Sequence, residues 1–135
     1  MQLRRYLQHY IRVVFALAFA FTLSGQTSKF VTARTLGGSL RSDFSGWLGM
    51  QITVGASPIT VTRLGRIYAG APAGSHTLKI VQQSTAQDVP GASVTVSTAG
   101  RTPNEFVYGS LAAPVTLAAN TTYYVVSQEH FPIEG

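Results

Sequence analysis

Trp47 is the residue best suited to hold a ligand: an indole joins a large apolar face to a polar edge and stacks on a sugar ring. In the run from Trp47 to Val54 it shares strand parity with Gln51 and Thr53, the less apolar face. Tyr68, Tyr108 and Tyr123 extend the aromatic set, and Arg63 and Arg66 flank Leu64-Gly65. Trp47, Tyr68, Arg66 and Tyr108 are therefore the candidate ligand-binding residues. A blander reading stands beside this one. Tryptophan is highly buried on average, so Trp47 is expected to pack beneath the connection over 39–46 or against a second sheet. The arginines equally suit an edge kept soluble and unpaired.

Other chemistry is thinly represented. Beyond His9 near the N-terminus, His76 and His130 are the remaining histidines. No carboxylate recurs near His76 at ligand spacing, so it reads as an exposed imidazole at a strand start, and His130 as a tail residue. Asp43, Asp88, Glu105 and Glu129 are dispersed. A glycosidase pair would need two of them to converge, and a calcium site would need an Asp-rich loop that is not there. No serine has a Gly-x-Ser-x-Gly setting, and the Gly-rich pieces lack the Lys and helix of a phosphate cradle. Asn120-Thr121-Thr122 matches the N-glycosylation triplet, but Asn is expected in a tight turn for backbone reasons alone. The expectation is no enzyme, no cofactor and no metal.

Composition narrows the class. The 135 residues suit one domain. Charged residues make up 11%, against about 25% in typical globular domains. The formal charge of +5 is inflated by Arg4, Arg5 and Arg12; beyond Gly25, seven basic residues face five acidic ones, a net of +2. Scattered charge of that size makes a poor nucleic-acid partner. The chain has no cysteine, which removes disulfides, thiolate metal sites and a cysteine nucleophile.

The N-terminus reads as an address. A polar segment with three arginines precedes an uncharged apolar run of eleven residues, Val13 to Leu23, followed by Ser24-Gly25. That is the order of a secretory signal peptide, and it is short beside the roughly 20 apolar residues of a spanning helix. Thr22 and Leu23 make an imperfect cleavage site, so an uncleaved anchor is the alternative. Residues 1–25 are thus expected to be a leader helix, and the leader is the chain's one expected route to a membrane. A short linker covers 26–29, a domain 30–129, and a tail 130–135 that reads as truncated. The expected location is secreted or cell surface.

The elements that must carry these side chains are short strands. Phe30 to Leu36 is a first strand. Trp47–Val54 and Ile59–Tyr68 form a hairpin around Gly55-Ala56-Ser57-Pro58, with a β-bulge near Thr62-Arg63 to reconcile a change of phase. His76–Val81 turns Leu78 and Ile80 inward, and a long turn over 82–91 leads to Ala92–Thr98 with Val94 and Val96 inward. Phe106–Leu111 places Phe106 and Tyr108 on one face, and Pro114–Leu117 pairs with Tyr123–Gln128. No helical periodicity appears outside the leader. The fold class is all-β, an antiparallel β-sandwich of immunoglobulin-like or jelly-roll-like type.

Several runs carry a resemblance: Asp43-Phe44-Ser45-Gly46-Trp47-Leu48-Gly49-Met50, Val61 to Arg66, His76 to Val81, Asp88 to Val94 and Pro114 to Tyr124. Together they resemble a bacterial secreted β-sandwich domain of unassigned function that occurs singly or in tandem in large extracellular proteins. The resemblance covers about 30–129, implies no catalytic residues, and includes neighbours active on carbohydrate. Similar domains continue past the equivalent of Glu129 with further strand-forming sequence, so an unpaired edge is expected here. The function expected is a non-catalytic structural or adhesive module. The alternative is a carbohydrate-binding module around Trp47, and the partners expected are a carbohydrate or another extracellular β domain.

Overall fold

Residues of alternating polarity, broken by Gly, Pro and Asn, build six strands and, among the described residues, no helix. The structure is a computed structural model that describes residues 27–33, 44–70 and 73–130. The chain divides into two compact units, Met1–Gly37 and Gly38–Gly135. In the first, the described residues 27–33 form neither helix nor strand, and Phe30 is exposed. The strand expected from Phe30 is therefore absent over 30–33. Its remainder, and the leader helix, lie outside the described residues.

The second unit holds β1 (Gly46–Thr53), β2 (Ile59–Ile67), β3 (Ser75–Gln82), β4 (Gln87–Ser97), β5 (Phe106–Leu117) and β6 (Thr122–Glu129). They form two antiparallel sheets, one of four strands in the order β1-β6-β3-β4 and one of two, β2-β5. Both sheets contribute to one hydrophobic core. Leu78 and Ile80 of β3, Ala92 and Val96 of β4 and Tyr123 of β6 meet Leu64 of β2 and Val107, Leu111 and Leu117 of β5. The sheets pack tightly at Gly109, where a Cβ would lie 2.7 Å from Val94 Cγ2 and 2.9 Å from Val96 Cγ1. Only a residue without a side chain lets β5 lie that close to β4.

Two pairings differ from the sequence expectation. β1 and β2 are not a hairpin: β1 lies beside β6 and β2 beside β5, so Gly55-Ala56-Ser57-Pro58 is an arch between sheets. Its first half is held by the β5–β6 turn, through Val54 N–H to Thr121 O at 2.9 Å and Asn120 N–H to Gly55 O at 2.9 Å. The four residues lack the Asn-Gly or Asp-Gly chemistry that closes a tight hairpin. Likewise, the segment at Pro114 is not a separate strand paired with β6. β5 runs on through Ala112-Ala113-Pro114 and pairs with β2 on either side of that segment.

The pairing is irregular where a bulge is expected, near Thr62, but β2 holds no extra residue. Val61 pairs with Val115 and Arg63 with Ser110, so β5 residues 111–114 face Thr62 alone, and the surplus lies on β5. β4 repeats the device. Lys79 pairs with Ser93 and Val81 with Asp88, so residues 89–92 face Ile80. Gln87 to Gly91, expected in a turn, thus belongs to β4, Gln82 belongs to β3, and the turn shrinks to 83–86. Each bulge contains a proline, Pro90 or Pro114, where a missing N–H is tolerated, and Gly91 takes φ +76°.

Candidate functional site

Three places in the second unit gather side chains capable of chemistry. The first is the outer face of the four-stranded sheet. Pairing of Trp47 with Gln128 on β6, and of Lys79 with Val126, sets both side chains on this face. Trp47 is 39% exposed. The ring is not bare, because Lys79 Nζ stands 4.3 Å from its centroid, a cation–π contact. The same ammonium donates to Asp88 Oδ1 at 2.7 Å and Oδ2 at 3.0 Å. Lys79 is thus held between an indole and a carboxylate.

The second is the outer face of β2-β5. After the bulge, Arg63, Gly65 and Ile67 pair with Ser110, Tyr108 and Phe106, and all face away from the core. A Cβ on Gly65 would run into the Tyr108 ring, so this glycine allows Tyr108 to lie down over the backbone of β2. Phe106 stacks on Tyr108 with ring centroids 5.7 Å apart and planes at 25°. The Arg63 guanidinium lies 5.5 Å from the Tyr108 centroid. Beside this pair a cleft of ≈ 350 Å³ is lined by Arg63, Phe106 and Tyr108 together with Arg101, Thr102 and Glu105 of the β4–β5 turn.

The third lies between the sheets. Arg66 of β2 donates from Nη1 to Glu129 Oε1 at 2.7 Å and to Ser127 Oγ at 3.1 Å, both on β6. His76 is 8% exposed, with Nδ1 3.2 Å from Gln128 O and 3.5 Å from Glu129 Oε2. A carbonyl only accepts, so Nδ1 carries the hydrogen in that contact. Nε2 is buried without a partner among the described residues, 4.0 Å from the position a Cβ on Gly74 would take. This overturns the expectation of an exposed His76: it shares parity with Leu78 and Ile80 and points inward with them. Glu129 is likewise not a dispersed surface carboxylate, and Arg66 is not an edge-guarding cation.

The four candidate ligand residues do not converge. Trp47 belongs to one outer face and Tyr108 to the other. Arg66 is committed between the sheets. Tyr68 packs against the core and donates its hydroxyl to Gly70 O at 3.1 Å. Phe106, Arg101 and Glu105 complete the cleft beside Tyr108, and none of them is among the ligand-binding candidates read from sequence. The signal available was the shared parity of Phe106 and Tyr108. Asn120 takes φ +53° in the β5–β6 turn, as the turn reading requires. Among the described residues, no three His, Asp or Glu side chains gather as metal ligands. Compared with known protein families, curated proteins and solved structures, the chain matches none, and the functional reading rests on these surfaces.

Proposed function

We propose that the chain is a non-catalytic, secreted or cell-surface β-sandwich module of structural or adhesive type. The observation that carries this reading is the edge strand β1, which is paired on one side by β6 and has no strand on its other side among the described residues. Leu48 and Met50 are 49% and 46% exposed, although their parity places them on the core-facing side. From Gly46 to Thr53 there is no charge and no proline, the devices that normally protect an edge. A second copy of the chain fits this strand. An antiparallel pair centred on Gly49 would set Leu48 of each copy opposite Met50 of the other, with no like charges facing. Light scattering on the full chain tests this: a dimer is expected, and a monomer in the Leu48→Lys, Met50→Lys double variant. A wild-type monomer at every concentration would remove the reading.

A second reading, carbohydrate binding, is favoured by the stacked Phe106–Tyr108 pair beside a cleft. A glycan array probed with the full chain tests it, with binding lost on substitution of Tyr108.

A further inference from the structure

We infer that the cleft over β5 takes an acidic saccharide, a sugar bearing a carboxylate, and that Arg63 and Arg101 are its specificity residues. This rests on the carbohydrate reading and names its ligand class and position. The parity of β5 turns Phe106 and Tyr108 outward together, and Gly65 lets the Tyr108 ring settle onto β2, so the stacked pair is built into the sheet. Rings fixed in this way along the cleft have little conformational entropy left to lose when a pyranose packs beside them. The cleft beside them, ≈ 350 Å³, falls within the range of about 300–1,000 Å³ usual for small-ligand sites.

Its charge selects the ligand. Two guanidinium groups, Arg63 and Arg101, face one carboxylate, Glu105, leaving a net charge of +1 on a chain poor in charge. None of the three side chains forms an ion pair among the described residues. Guanidinium binds carboxylate through two parallel hydrogen bonds, and Glu105 can accept from sugar hydroxyls. Thr102 adds a hydroxyl at the rim. Trp47 offers no such arrangement. The cation over its ring is already satisfied by Asp88, and no further arginine lies on β1, β6, β3 or β4.

Titration calorimetry of the full chain with a galacturonic acid trimer and with the neutral galactose trimer tests the inference. The acidic trimer is expected to bind at least about tenfold more tightly, with affinity falling as salt rises. Arg101→Gln, on an exposed turn, and Arg63→Gln are each expected to weaken the acidic trimer about tenfold and the neutral trimer by clearly less, so that the preference for the acidic trimer shrinks. Tyr108→Leu should weaken both trimers, and Trp47→Leu neither. Equal binding of the two trimers, or acidic binding indifferent to Arg63 and Arg101, overturns the acidic class but leaves the carbohydrate reading standing. Absence of binding by either trimer, joined to a blank glycan array, overturns both. Should Tyr108→Leu fail to fold, the two arginine variants still decide.

Discussion

Arg66 on β2 reaches between the sheets to Glu129 on β6, with Nη1 2.7 Å from Oε1 and both side chains largely withdrawn from water, at 19% and 13% exposure. It ties strands that share no backbone pairing. Truncating one partner leaves the other charge poorly solvated and unpaired, which costs more than the pair itself contributes. Arg66→Met or Glu129→Leu alone should destabilise by about 2–3 kcal/mol, and the double variant by clearly less than the sum. Urea unfolding of the three variants gives the coupling directly. Additive losses would mean that the contact carries no energy.

Gly49 has no room for a side chain. A Cβ there would overlap the Val125 carbonyl of β6 and come within 2.7 Å of Val126 Cα. Gly49→Ala must push β1 off β6, a loss of about 1–3 kcal/mol. Gly55, with nothing within 4 Å, is the control, and its alanine variant should be neutral or slightly stabilising. Thermal melts of the two variants, compared side by side, check this.

Thr98 is fully buried and clasps the backbone of Gly74. Its Oγ1 accepts from Gly74 N–H at 2.9 Å and donates to Gly74 O at 3.1 Å. Thr98→Val keeps the shape but strands the Gly74 N–H, for a loss of about 1–3 kcal/mol. Thr98→Ser should recover most of it. Hydrogen exchange at the Gly74 amide, faster in the valine variant alone, reports the mechanism rather than general softening.

Lys79 over Trp47 makes the indole a reporter. Lys79→Met removes the cation and should alter Trp47 emission, while stability falls by no more than about 1 kcal/mol, since cation and carboxylate are both partly solvated. As the chain holds one tryptophan, fluorescence needs no deconvolution. Emission identical to wild type would mean that the ammonium is not over the ring in solution.

How far the sequence reaches depends on the range of the physics involved. Alternation is local, and it placed Leu78, Ile80 and Val96 inward and Phe106 and Tyr108 on a common face. The shift of phase between Val61 and Leu64 located the bulge. Pairing partners are long-range. Period-2 patterning tells which side of a strand is buried but not which strand lies beside it, so β1 and β2 read as a hairpin although they belong to different sheets. Pro90 read as a turn because a proline excludes a regular ladder, and the four-residue bulge on β4 is what admits it. His76 was legible in principle. Weighing its parity with Leu78 above its position at a strand start would have placed it inside. Arg66 was not, because only the folded arrangement brings Glu129 to it.

The arch between β1 and β2 has a consequence for the order in which the chain becomes complete. Thr53 lies beside Thr122, 69 residues further along. β1 is the first of the six described strands, and its hydrogen-bonding neighbour, β6, is the last of them. Until β6 emerges, β1, a strand with no charged residue, waits with both edges open. Pairing at this sequence separation costs more closure entropy than a hairpin does before its contacts repay it, so acquisition of the native state should be limited by the docking of β1. A nascent chain held just short of Glu129 would present that strand to whatever holds or exports unfinished polypeptides.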